Sequence, residues 1–377
     1  MMYCMDKQYF TKTLKLRIKD KHASFLLAQS KEVNLCWNFV NDLSQQILRR
    51  EHRFCSAYDL AQYTCGATKE GLSLHSQTVQ AINEEYVLRR KQFRKAKLRW
   101  RKSGGSRRSL GWIPIKSSAI KYHNGQIKYC GRFISLWDSY GLARYELGTG
   151  SFSEDARGRW YFNVTVKVKS KIESGTELIG VDLGCKAAAT ASNGNKVIGR
   201  RYQELEKKLG VAQRARNKAR VKSIHAKIAN RRQDDHHKFS SALVKQSGAI
   251  FVGNVSSPAM RKTKLAKSSS DAGWGLLKTM LEYKCRWANI VFEEVNEAYT
   301  TQTCSCCGCI SPSSPKGRAG LGIRHWNCMV CGADHDRDVN AAINIAKRGE
   351  AQFLAGAGHC PLVAGIPVLT AKAAAAG

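Results

Sequence analysis

The sequence predicts a compound α/β protein: a mixed strand–helix domain interrupted near its C-terminus by a four-cysteine metal loop, preceded by a β-rich domain with a helical insertion. Three observations lead there. Strand-like and helix-like segments alternate from residue 177 onward, short β-rich runs recur from 110 to 170, and two C-x-x-C pairs lie between 304 and 331. At 377 residues the chain has room for two or three domains, each with its own core.

Residues 8–18 alternate apolar and basic side chains, as a half-buried strand does. From 22 to 105 the apolar period is helical. Leu26, Val33, Cys36, Phe39, Val40 and Leu43 are spaced to share a face, and a second run extends from Gln77 to Leu98 before Ser103-Gly104-Gly105-Ser106 breaks it. The runs GWIPIKSS, GQIKYCGRFISLW, ARYELGTGSFSED and RWYFNVTVKVKS then read as strands of a small barrel or sheet. If 8–18 supplies its first strand, 1–20 and 108–172 form the barrel and 21–107 is a helical insertion.

The polar stretch SKIESGTE (170–177) marks a boundary. Beyond it, ELIGVDLG (177–184) is a buried strand ending in Asp182, and 187–199 is a hairpin turning at Asn193-Gly194-Asn195. Residues 201–247 read as one or two long basic helices, 249–255 as a strand, Leu276–Ala288 as a helix and 288–297 as another strand. The Gly- and Ala-rich tail over 351–377 is expected to be disordered or loosely attached.

With 62 Lys+Arg against 29 Asp+Glu, the formal charge of +33 favours a polyanionic partner, nucleic acid by default. A basic membrane-surface protein is the rival. No apolar run reaches about 18 residues and no signal-like segment follows the N-terminus, so a soluble, cytoplasmic protein is expected. The charge concentrates in 89–108, where eleven Lys/Arg occur without one acid and Phe93, Leu98 and Trp100 are interleaved. A solvated face would alternate its signs. Arg89, Arg90, Lys91, Arg94, Lys95, Lys97, Arg99, Arg101 and Lys102 are therefore the candidate phosphate-facing residues.

Of the fourteen cysteines, Cys4, Cys36, Cys55, Cys65, Cys130, Cys185, Cys285 and Cys360 show no pairing pattern and read as small hydrophobes. Cys304-x-x-Cys307 and Cys328-x-x-Cys331 differ, since two tight turns at that separation offer four thiolates to one tetrahedral Zn²⁺. Gly308 and Gly332 follow each pair, where the chain must turn so that backbone N–H groups face the sulfurs. Cys306 and Cys309 offer substitutes within the first turn, and a redox dithiol is the alternative to a metal.

Two carboxylate signals remain. Asp182 is delivered by an apolar strand between glycines, a position that calls for a metal or a strong donor. Asp334, Asp336 and Asp338 open a helix whose alanines and isoleucines suit packing on a sheet; acids there also serve as helix N-caps.

Taken together, GVDLG, the paired C-x-x-C elements preceded by TTQT (300–303), and DRDVNAAINIA (336–346) resemble the TnpB family of proteins encoded by bacterial insertion sequences, over roughly 175–350. The N-terminal half is similar to that family in layout only. The resemblance implies an RNase H/RuvC-like nuclease domain over 175–300 and 333–350, a zinc ribbon over 301–332 and a wedge-like N-terminal barrel. It further implies an RNA-guided DNA endonuclease, related to type V CRISPR effectors, with a guide RNA from the transposon end and double-stranded target DNA as partners. Such a site needs carboxylates around a pair of Mg²⁺ ions. Asp182 matches the family's first acid and Asp338 its last.

The second acid departs from the pattern, because the strand that carries a Glu in the family has Gly253 at that position. Two readings follow: a nuclease-dead relative that binds DNA without cutting, or a carboxylate supplied from elsewhere. Strand 288–297 ends in Val295-Asn296-Glu297, and alternation places Glu293, Val295 and Glu297 on one face. A glycine at 253 leaves room for a longer side chain from a neighbouring strand, so Glu297 is the candidate replacement, a solvated strand end being its bland alternative. A transposase acting directly in strand transfer is a third functional class that fits the same acids.

Overall fold

The structure, a computed structural model, describes residues 9–169, 175–198, 202–255, 272–317 and 319–356. Two compact units divide the chain, Met1–Lys169 and Ser170–Gly377.

The first unit is built on a seven-stranded antiparallel sheet. Its strands are β1 (Tyr9–Ile18), β2 (Trp112–Ile115), β3 (Lys121–His123), β4 (Gln126–Tyr129), β5 (Arg132–Trp137), β6 (Leu147–Glu154) and β7 (Trp160–Lys169), in the order β2-β6-β7-β1-β5-β4-β3. Leu14, Leu16 and Ile18 of β1 and Trp160, Phe162, Val164 and Val166 of β7 point into one core while Lys12 and Lys15 do not. Among the described residues no ladder joins β3 to β2, so the expected barrel is, in its hydrogen bonds, an open sheet ending in two short strands.

Between β1 and β2 lie three helices, α1 (Ala23–Glu51), α2 (Ala57–Thr64) and α3 (Ser76–Phe93). Phe39, expected on the buried face of α1, is instead 51 % exposed; Trp37 takes the inward position and meets Tyr86 and Trp112 edge-on. The second helical run also stops early, at Phe93, where Arg94 adopts a left-handed φ of 49°. Cys36 and Cys55 are core residues and Cys65 is exposed; Cys4 and Cys360 lie outside the described residues.

The second unit holds a five-stranded sheet of β8 (Glu177–Asp182), β9 (Ala187–Ala191), β10 (Lys196–Ile198), β11 (Ser247–Gly253) and β12 (Val291–Val295), in the order β10-β9-β8-β11-β12. The first three strands pair antiparallel, whereas β11 runs parallel to both β8 and β12. Parallel neighbours end together, and that places the ends of β8, β11 and β12 along one edge. Helices α4 (Gln203–Arg214), α5 (Lys218–Gln246), α6 (Trp274–Ala288) and α7 (Arg337–Gly356) complete the unit.

The two faces of this sheet bury different partners. Ile179, Val181, Ile250 and Val252 share a core with Phe239, Leu243, Trp274, Leu277 and Leu281 of α5 and α6. Alternation sends Ala249, Phe251 and Val295 to the opposite face, against Ile345 of α7. Gly180 lets α7 approach closely, because a Cβ there would collide with the Ala342 carbonyl and the Ala346 amide. Gly180→Ala is expected to cost about 1–3 kcal/mol by overpacking, read as a lower melting temperature; an unchanged one would place α7 further from β8.

Two sequence expectations shift. The strand read over 288–297 is confined to Val291–Val295, because Ala288 ends α6 and Asn289 caps it with a left-handed φ of 56°. The tail expected from 351 begins as helix, since α7 continues to Gly356; 357–377 lie outside the described residues. Among the described residues no helix is long and apolar enough to cross a membrane.

Candidate active site and metal-binding ribbon

Asp182 is the last residue of β8 and shares the α7-facing side of the sheet with Leu178 and Gly180. Loss of water raises its carboxyl to about 7, with Asp338 and then Glu297 adding repulsion and Arg337 opposing it. Asp182 therefore feels both of the other acids proposed from the sequence.

Gly253, the last residue of β11, pairs with Val295 of β12. A Cβ built on Gly253 would run into the carboxylate of Glu297. The Glu297 side chain thus occupies the space that a residue at 253 would otherwise fill, although Glu297 itself stands two residues past β12. Burial raises its carboxyl, eased by Lys278 and by the Val255 backbone N–H, and among the described residues its Oε2 is buried without a hydrogen-bond partner. Glu293 and Glu294 stay exposed on β12, Glu294 paired with Lys278 at 2.6 Å.

Asp338 lies in the first turn of α7 and takes two hydrogen bonds from Arg324 Nη1, at 2.9 and 3.1 Å, and two from Arg337, through Nε and Nη2 at 3.2 Å each. The N-cap role falls to Asp336, whose Oδ1 accepts from the amides of Asp338 and Val339 at 3.0 Å each while Oδ2 meets Lys196 at 2.7 Å. Asp334 accepts from Asn327 at 3.0 Å. Capping thus occupies Asp336, and of the other two acids it is Asp338 whose charge reaches Asp182.

A buried Glu297 oxygen with no hydrogen-bond partner among the described residues, the repulsion that Asp182 feels from Asp338 and Glu297, and hard oxygen donors alone suit a divalent cation of the Mg²⁺ class. Among the described residues these oxygens do not converge to the 4.8 Å spacing that a second group meets.

That second group is Cys304, Cys307, Cys328 and Cys331, whose sulfurs all lie within 4.8 Å of one another. Cys304 and Cys331 are 3.6 Å apart and Cys307 and Cys328 3.8 Å. Metal–sulfur bonds of about 2.3 Å place tetrahedral sulfurs about 3.8 Å apart. In each turn a glycine N–H returns to the first cysteine's carbonyl: Gly308 to Cys304 at 2.9 Å and Gly332 to Cys328 at 2.7 Å. Both glycines need their left-handed φ, 77° and 73°.

The second turn closes the hairpin of β13 (His325–Asn327) and β14 (Asp334–Asp336). Cys306 and Cys309 are exposed and outside the cluster. One participant went unnoticed in the sequence: His335 Nε2 lies 3.0 Å from the Cys304 sulfur, its ring against Trp326. Its signal was the single His within Asp-His-Asp, turned inward by strand alternation.

The basic segment of the first unit divides into two roles. Arg90 departs from the phosphate-facing expectation: it is 4 % exposed, donates to Ser44 Oγ at 2.7 Å and Cys55 O at 2.6 Å, and stacks on Phe54. Arg101 likewise turns inward, to Asn34 Oδ1 at 2.6 Å and over Trp112. Arg89 is exposed but paired with Glu85 at 2.5 Å.

Lys91, Arg94, Lys95, Lys97, Arg99 and Lys102 are exposed. Lys91 lies in the last turn of α3; from Arg94 onward the segment is not helical, and amides along α1 hold it. Asn41 bonds both N and O of Leu98, Asn38 both N and O of Arg101, and Gln45 the carbonyl of Ala96. Arg99 and Trp100, between the pinned residues, are left facing solvent.

The family description Cas12f1-like, TNB domain matches residues 274–345, from α6 through the ribbon into α7. A relative from Streptomyces pristinaespiralis, named as an RNA-guided DNA endonuclease, is 30 % identical over 263 residues, covering 65 % of this chain and 64 % of its own. Another from Escherichia coli (strain K12), named as the RNA-guided DNA endonuclease InsQ, is 27 % identical over 230 residues, 53 % of this chain and 56 % of its own. This chain thus spans less than two thirds of either relative's length. A protein chain in the cryo-EM structure of a Cas12f1–sgRNA–target DNA complex shares the fold with a TM-score of 0.58 at 14 % identity, 90 % of this chain and 99 % of that one being covered.

Proposed function

We propose that this chain is a TnpB-family protein, an insertion-sequence-encoded, RNA-guided DNA endonuclease whose RuvC-like site cuts target DNA. The observation that carries cleavage, rather than binding alone, is the Glu297 carboxylate standing over Gly253 and repelling Asp182. It supports a complete set of three acids where the sequence lacked one.

Asp182, Glu297 and Asp338 would hold a pair of Mg²⁺ ions, which when bound supply an activated water and stabilise the leaving 3′-oxygen. Asp182 approaches from the end of β8, Glu297 from just past β12 on the far side of β11, and Asp338 from the first turn of α7, so three elements of one unit set the geometry. Arg324, now on Asp338, carries a planar fork that suits a phosphodiester as well as a carboxylate. Four thiolates leave no open position on a Zn²⁺ ion, so the ribbon organises rather than cuts.

Base pairing by the guide would supply sequence specificity, with the protein contributing backbone charge and shape. The exposed residues Lys91, Arg94, Lys95, Lys97, Arg99 and Lys102 are the proposed RNA contacts. The deciding experiment co-expresses the protein with its flanking transposon DNA and supplies a plasmid library. The expected result is a defined co-purifying RNA and Mg²⁺-dependent cutting of plasmids that share a motif beside the guide match. Bound RNA with intact plasmids would make the protein an occupancy-only binder, and strand transfer without RNA would make it a transposase.

A further inference from the structure

An acid carried within a strand inherits its direction from the ladder. Glu297 has no such support, because β12 ends at Val295 and residues 296–303 form an irregular tether into the ribbon. Metal-binding carboxylates work only when their aim is fixed, so something else must hold this tether.

The holder is one face of α7. Arg348 Nη1 donates to the carbonyls of Asn296 and Ala298, the residues on either side of Glu297. Asn344 Nδ2 donates to the carbonyls of Thr300 and Thr303 at 2.9 and 2.7 Å. Asn340 Nδ2 reaches the same two carbonyls at 3.3 and 2.8 Å, and its Oδ1 accepts from the Ser305 amide at 2.8 Å. Positions 340, 344 and 348 recur every fourth residue, and such positions line one side of a helix.

The tether also folds onto itself. Thr300 donates to the Glu297 carbonyl through its amide at 3.2 Å and its hydroxyl at 2.8 Å. Tyr299 takes a left-handed φ of 64°, rare for a bulky side chain. A backbone in that conformation needs bonds around it to persist.

We infer that Arg348, backed by Asn344 and Asn340, is the positioning device for Glu297. Through it α7 governs two acids at once, carrying Asp338 in its first turn and aiming Glu297 from further along. The inference rests on the nuclease reading above and deepens it: an acid that left its strand is steadied by the helix that packs beside it.

The test uses zinc-loaded protein with its co-purified RNA, measuring Mn²⁺ affinity by calorimetric titration and single-turnover cleavage. Arg348→Met keeps the aliphatic stem and removes the donors. It is expected to lower both quantities by about 10–100-fold, with zinc content and RNA affinity unchanged. In a Glu297→Ala background the same substitution should shift Mn²⁺ affinity no further, since its effect runs through that side chain. Wild-type Mn²⁺ affinity in Arg348→Met, or an equal loss with and without Glu297, would overturn the role.

Failure of the two readings is separable. If the wild type binds Mn²⁺ in an Arg348-dependent way yet leaves DNA uncut, the positioning role stands and the nuclease reading falls. If the wild type cuts and Arg348→Met cuts equally well, the reverse holds.

Discussion

Glu297→Ala and Asp182→Asn are each expected to reduce Mg²⁺-dependent cleavage by roughly 10³-fold, about 4 kcal/mol of transition-state stabilisation, while leaving guide-RNA binding near wild type. The structural grounds are the position of Glu297 over Gly253 and the repulsion that Asp182 feels from both other acids. The same repulsion predicts an opposite effect on stability. Removing one of three like charges should stabilise the metal-free protein by about 1–2 kcal/mol, or roughly 2–8 °C in melting temperature. Thermal melts in chelator measure it. An Asp182→Asn protein that melts earlier than wild type would contradict crowding among the acids.

Removing the ribbon's metal is the second large effect. Among the described residues its buried apolar cluster is Cys304, Trp326 and Cys328, and its hairpin strands are three residues each, too little to hold the loop unaided. Zinc bound by four thiolates contributes on the order of 10–16 kcal/mol in small domains. Chelation or Cys328→Ser should therefore unfold 304–336 locally, seen as faster amide exchange there and altered Trp326 emission, while β11 amides stay protected. Unchanged exchange in the metal-free protein would mean that the loop is held by contacts other than the thiolates.

The features legible in the sequence are those whose causes are local. Strand alternation marked β1 and β8, the repeated C-x-x-C-Gly marked both turns of the ribbon, and an apolar strand between glycines marked Asp182. Features set by distant partners were hidden. Arg90 looked like its basic neighbours until Ser44 and the Cys55 carbonyl enclosed it, and no local pattern distinguishes it from Lys91. The asparagines at 340 and 344 sat in a recognised stretch, but their partners lie some forty residues earlier in the chain. Glu297 fell between these cases. Alternation pointed to it, yet its route to the site is a tether beyond the strand rather than the strand itself.

The central claim is that the Glu297 carboxylate acts from the place a residue at 253 would occupy. Moving the acid tests it most directly: cleavage by Gly253→Glu/Glu297→Ala is compared with each single variant, with melting temperature and RNA binding as controls. Both singles are expected to be crippled, Glu297→Ala for want of a carboxylate and Gly253→Glu through collision, while the double variant recovers cleavage to within about 100-fold of wild type. A folded, RNA-bound double variant no more active than Glu297→Ala would contradict it.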